Sequence, residues 1–193
     1  LQALAAKRRV IDDGPAEPPH TAYIDDVFVE QALFCCMKGG GTMGTLVIRS
    51  ARLDDSPALA MLSAQLGYPT TAEVVQARLP RYLEAKERRV IVAELDGQVV
   101  GWTSIEIVDH FYLEKFAEIS GFVVEATHRG RGIGHALMAE AERWTSAQGL
   151  SILRLKTNVV RTEAHRFYEN LGFLRTKTQY TYVKQLAQDG KAQ

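Results

Sequence analysis

Cysteine is nearly absent from this 193-residue chain: the only two, Cys35 and Cys36, are adjacent. Neighbouring cysteines cannot staple distant parts of a chain, so a disulfide framework is excluded. No further Cys or His stands close to them at ligand spacing, which argues against a metal site. Long apolar runs are missing too: Ala32 to Met37 falls far short of the roughly 18–20 residues of a membrane span. The N-terminal stretch LQALAAKRRV lacks an apolar segment after a basic one, so it is not a secretory signal. Excess charge of one sign is also lacking. Lys plus Arg (23) equals Asp plus Glu (23), and the formal net charge is zero. A uniformly basic surface for nucleic acid or anionic membrane is therefore not expected. Together these absences describe a soluble protein, expected in the cytoplasm, whose partners are neither nucleic acids nor membranes.

What is present is ordinary globular composition, with 46% hydrophobic and 24% charged residues. A chain of this length buries roughly 70% of its unfolded surface, enough for one core. The first 44 residues differ from the rest. Gly14, Pro15, Pro18 and Pro19 interrupt one stretch, and Gly39, Gly40, Gly41 and Gly44 another, with no sustained period between them. Tyr23 to Phe34 suits a short strand or a short helix. The expected organisation is a poorly ordered extension over 1–44, one domain over 45–187 and a short tail over 188–193. Met43, just before the first clear strand, is the expected natural start.

From Thr45 the signals are strong. Leu46-Val47-Ile48 reads as a strand. Asp54, Asp55 and Ser56 supply an N-cap, with Pro57 in the first helical turn. Leu59, Leu62 and Leu66 give that helix an apolar stripe, and Gly67-Tyr68-Pro69 ends it. Thr70 and Glu73 form a capping-box pattern for a second helix, which Pro80 should kink or stop. Val90 to Ala93 and Val99 to about Val108 read as strands around an Asp96-Gly97 hairpin turn. After a loop of charged and aromatic residues (Asp109 to Phe116) come a strand (Ala117 to Glu125), a helix (Ile133 to Gln148, with Leu137, Ala141 and Trp144 on one face), and a strand (Ile152 to Lys156). A short helix (Thr162 to Leu171) and a last strand (Gln179 to Leu186) follow. The order β-α-α-β-β-β-α-β-α-β defines a mixed α/β fold with a largely antiparallel first half.

The stretch that carries chemistry is HRGRGIG, His128 to Gly134, between an apolar strand and an amphipathic helix. Glycines let the backbone turn tightly and approach a ligand closely. A helix N-terminus adds free N–H groups and the positive end of its dipole. Such a turn cradles phosphate or pyrophosphate, and Arg129 and Arg131 can add charge-assisted contacts. On spacing alone, a plain tight turn with solvated arginines explains the stretch equally well. A P-loop is absent. A G-x-G-x-x-G pattern at Gly39, Gly41 and Gly44 precedes a strand instead of following one, and reads as a tether.

Arg129-x-x-Gly132-x-Gly134, preceded by the strand AEISGFVV, resembles the acetyl-CoA signature of the GNAT superfamily of N-acetyltransferases. Asn158 and AHRFYENLGF (Ala164 to Phe173) resemble the second cofactor motif of that family. The resemblance covers Leu46 to Leu186 in element order. It implies a GNAT fold: a mixed, mostly antiparallel central sheet flanked by helices, with two parallel strands that splay to admit acetyl-CoA. It implies that the backbone of Phe122 and Val124 pairs with the pantetheine. An N–H near Val123 or Val124 then polarises the thioester carbonyl, the backbone of Arg129, Gly130, Arg131, Gly132, Ile133 and Gly134 holds the pyrophosphate, and Asn158 lines the channel. Tyr168 matches the family's usual general acid.

A reference phenol pKa of about 10 against about 8.5 for a thiol makes full proton transfer uphill by about 2 kcal/mol. Tyr168 is thus expected mainly to hydrogen-bond the developing thiolate. Glu118 is the first candidate for the base, directly or through water; Glu106, Asp109, His110 and Glu114 are alternatives. Tyr68, His110, Phe111 and Tyr112 are expected to wall the acceptor site. The implied reaction is acetyl transfer from acetyl-CoA, without a metal, to a primary amine of a small molecule (an aminoglycoside or a polyamine) or of a peptide. A non-catalytic acetyl-CoA sensor is the alternative, and a longer acyl group stays open. Family members often dimerise through C-terminal strands, so the strand carrying Tyr180, Tyr182 and Val183 suits a homodimer, and its apolar face equally suits covering the core of a monomer.

Overall fold

The computed structural model of the protein describes residues 31–35 and 44–186. The expected start at Met43, the Gly39 and Gly41 tether positions and the 188–193 tail lie outside the described residues. Among the described residues, six strands form one sheet in the order β1-β2-β3-β4-β5-β6. They are Gln31–Cys35 (β1), Gly44–Ser50 (β2), Arg88–Leu95 (β3), Gln98–Val108 (β4), Phe116–Val124 (β5) and Leu153–Leu155 (β6). Neighbours pair antiparallel except β5 and β6, which are parallel. The helices are Ser56–Leu66 (α1), Ala72–Arg78 (α2), the single turn Pro80–Leu83 (α3), Ile133–Ala147 (α4) and Thr162–Asn170 (α5). The α4 crossover joins the parallel pair, because a parallel connection cannot be made by a tight turn.

Strand β3 shows how the core divides. Its residues Val90 to Ala93 are buried on both faces of the sheet. Ile91 and Ala93 join Leu137, Met138, Ala141 and Trp144 of α4. Val90 and Val92 face the other way, against Leu59 of α1 and Leu79. An alternating strand cannot satisfy this arrangement, so the run is continuously apolar. Ile91, Ile105, Leu62 and Leu137 are fully buried, each worth about 1.5–3 kcal/mol of transfer free energy.

Local signals act largely as expected. Asp96 and Gly97, at φ 50° and 81°, turn the β3–β4 hairpin, a conformation open to Asp and free for Gly. Gly67 ends α1 at φ 100°, and Pro80 separates α2 from α3. The caps differ. Asp55 precedes α1 but makes no capping bond, because its carboxylate accepts two hydrogen bonds from Arg49 and one from the Arg52 N–H. Thr71, not Thr70, caps α2 by accepting from the Val74 N–H at 3.3 Å.

Two expectations at the sheet edges are corrected. The sheet reaches into the stretch expected to be loose: β1 pairs with β2, Leu33 opposite Leu46. The apolar run there carries no period of its own, so only its partner strand defines it. At the other edge no strand forms over 179–186, and Tyr180, Tyr182, Val183 and Leu186 are exposed. The edge strand on that side, β6, is only three residues long.

Candidate active site

The site originates in a bulge. Along the β4–β5 ladder, Ser104 pairs with Gly121 but Ile105 pairs with Ile119, so Ser120 is the extra residue. Such an insertion bends its strand and reverses the sense of every following residue. Pairing of β5 with β6 ends at the same level, with Ile119 opposite Leu155. Beyond it the two strands separate, and the gap opens into a cleft of about 1120 Å³.

The reversal decides which backbone groups face the gap. Before the bulge, the Ala117 N–H donates to Ile152 on the β6 side. After it, the Glu125 N–H donates to Val100 of β4. Alternation therefore turns the Val123 N–H toward β4 and frees those of Phe122 and Val124 toward the cleft. Phe122, Val123 and Val124 all line the cleft. Of the two expected polarising donors, only the Val124 N–H faces it.

The glycine turn closes one end. Gly130 and Gly132 hold φ of 75° and 82°, in the region that side chains other than glycine rarely adopt. Gly132 is the N-cap of α4, which leaves the first N–H groups of that helix without intrahelical partners. Arg129 folds back and donates from Nε to the Val124 carbonyl at 3.1 Å. Arg129, Gly130, Gly132 and Gly134 line the cleft, whereas the Ile133 side chain is buried in the core. Gly134 is also closely packed: a Cβ there would stand 3.1 Å from Phe167 Cζ, and the ring would have to give by a few tenths of an ångström.

Helix α5 brings Tyr168 to the same cleft. Its ring lies edge-on to Phe122 at 6.2 Å, Phe167 at 5.3 Å and Phe173 at 6.0 Å. Burial raises its phenol pKa above the usual value, opposed by the positive charge of Arg161. The Asn158 side chain accepts from the Val160 N–H and shapes the turn before α5. Arg161, which the sequence did not mark, donates from Nη2 to the Leu66 carbonyl at 2.5 Å and joins α5 to the end of α1. No local pattern signals a contact between residues so far apart in the chain.

A second cleft of about 620 Å³ adjoins the first and shares Leu66, Tyr68, Ser120 and Gly121 with it. Thus Tyr68 stands where the two meet. Glu118, His110 and Tyr112 line neither cleft. Glu118 is held by Lys156 Nζ at 2.8 Å, Glu106 pairs with Arg88, and Asp109 with Lys115. His110 stacks on Tyr112 at 5.4 Å in the 109–115 loop. Among the described residues, no group of three or more His, Cys, Asp or Glu is placed to hold a metal.

Residues 58–173 match the family model of the Acetyltransferase (GNAT) family, and the chain belongs to that family. It is 34% identical over 87 residues to an aminoalkylphosphonate N-acetyltransferase of Salmonella typhimurium, covering 45% of this chain and 56% of the relative. It is 32% identical over 113 residues to N-acetyltransferase family 8 member 3 of Rattus norvegicus, covering 57% and 50%. The chain thus spans about half the length of these curated relatives. Among solved structures, aminoglycoside N-acetyltransferase AAC(6')-Iy in complex with CoA superposes with a TM-score of 0.66, at 21% identity, over 78% of this chain and 100% of that one. That likeness is one of fold. No helix among the described residues is long and apolar enough to cross a membrane.

Proposed function

We propose that this protein transfers an acetyl group from acetyl-CoA to the primary amine of a small molecule. The observation that carries the reading is the cleft opened beyond the Ser120 bulge, which Phe122, Val124 and Tyr168 all line and which meets a second cleft at Ser120 and Gly121. Acetyl-CoA supplies an acyl thioester already activated toward an amine. The residues do the rest. N–H groups at the start of α4 and the glycine turn hold the pyrophosphate. The Phe122 and Val124 backbone aligns the pantetheine, and the Val124 N–H donates to the carbonyl oxygen as negative charge develops there. Tyr168, with its proton held more tightly than in a free phenol, donates a hydrogen bond to the departing sulfur. The amine must shed a proton before it attacks. Glu118 lines neither cleft and is paired with Lys156, so a base role for it requires a water between its carboxylate and the amine.

The test is thiol release from acetyl-CoA across a panel of amines, with Tyr168→Phe beside the wild type. Release that falls in the variant supports the reading. Tight acetyl-CoA binding without release from any amine overturns it in favour of a non-catalytic sensor.

A further inference from the structure

The second cleft is charged in one sense only. Its lining includes two cations, Arg78 at the end of α2 and Arg81 in α3, and no Asp or Glu. Several cations elsewhere in the fold are matched: Arg49 by Asp55 and Glu94, Arg88 by Glu106, Arg143 by Glu140 and Arg175 by Glu169. Arg78 and Arg81 have no carboxylate partner among the described residues. Arg81 instead lies over the Tyr82 ring, its guanidinium carbon 5.3 Å from the centroid, which orients it without neutralising it. Apart from the arginines the lining is apolar and hydroxylic, with Val75, Trp102, Ser63 and Ser104 among it, and it extends to Ser120 and Gly121.

Resting on the transferase reading, we infer that the acceptor is an amine that also carries an acid group, a carboxylate, phosphate or phosphonate. The acid binds Arg78 and Arg81, and the amine reaches the Ser120 bulge. A guanidinium presents paired donors that match two oxygens of such a group. A polycationic acceptor would bring like charge to the same two arginines, where it is repelled.

The test measures acetyl-CoA thiol release with four small amines of similar size: O-phosphoethanolamine, 3-aminopropionate, ethanolamine and ethylenediamine. The wild type is compared with the double variant Arg78→Gln/Arg81→Gln. The expected result is a KM for the two acid-bearing amines at least about ten-fold below that for the other two. The double variant raises the former by a similar factor and erases the difference, while the KM for acetyl-CoA reports on its folding. Preference of the wild type for ethanolamine or ethylenediamine overturns the inference, as does a variant that raises every KM equally. If none of the four supports release, the acid site is read by itself. O-phosphoethanolamine is then titrated against intrinsic fluorescence, because Trp102 lines this cleft and Trp144 is buried in the core. Saturable quenching that the double variant loses upholds the acid site; absence of quenching in the wild type overturns it.

Discussion

The indole of Trp102 fills the space in which a Cβ on Gly121 would stand: Cζ3 and Cη2 lie 2.5 and 2.6 Å from that position. The two residues come from neighbouring strands beside the bulge, and both line the second cleft. The closeness of β5 to this indole thus requires a residue without a side chain. Gly121→Ala is expected to push Trp102 aside and destabilise the fold by about 1–3 kcal/mol, the usual range for overpacking. It should also reshape the second cleft. Thermal unfolding and tryptophan emission check this; an unchanged emission spectrum would contradict it.

Gly132 is required for a different reason. A Cβ there meets nothing within 4 Å, but φ is +82°. Gly132→Ala is therefore expected to strain the turn by about 1–2 kcal/mol without any clash. The turn should relax and misdirect the N–H groups that begin α4. The expected result is a higher KM for acetyl-CoA with a lesser effect on kcat, measured by thiol release.

For Tyr168, burial outweighs the charge of Arg161 and raises the phenol pKa above its ordinary value of about 10. The proton is therefore retained to higher pH than in a free phenol. The kcat–pH profile should show no alkaline fall from this group below about pH 10. Tyr168→Phe should lower kcat by about 10²–10⁴-fold. A wild-type fall near pH 9 that the Phe variant lacks would contradict the assignment.

Asp55 ties the start of α1 to β2 through Arg49. Burial pushes its pKa up, but hydrogen bonds from Arg49 and the Arg52 N–H outweigh that, and the net shift is downward. A carboxyl whose folded pKa lies below its unfolded value of about 3.9 stabilises the fold above that pH. The contribution is lost as pH falls through the folded pKa. Asp55→Ala leaves the buried Arg49 with Glu94 alone and should cost about 3–5 kcal/mol near neutral pH. Denaturant unfolding from pH 7 down to pH 2 should show wild type and variant converging below about pH 4.

Much of the fold was legible because its signals are local. The Asp96-Gly97 hairpin, the stripe of α4 and the glycines at 130 and 132 each follow from the backbone a residue permits or the period a face requires. The cap of α1 was misread for the opposite reason. Asp55 is a good cap by type, but Arg49 on the neighbouring strand claims its carboxylate. His110 and Tyr112 were expected to wall the acceptor site from their place in the loop before β5. In the fold they stack on each other away from both clefts, and Arg78, Arg81 and Trp102 line the second one instead.

The sequence by itself determined the family, the order of its helices and the central strands, and the turn at the start of α4, because each depends on residues within a turn or two of one another. Tertiary structure alone decided the rest. The bulge at Ser120 exists only in register with β4, and it decides that the Val124 N–H, not that of Val123, faces the cleft. Arg161 reaches Leu66 across 95 positions of chain. The edges of the sheet, with β1 gained and the last strand missing, were settled by pairing. Strand pairing and charge matching depend on partners that the chain brings together only when folded, and no window of sequence contains both members.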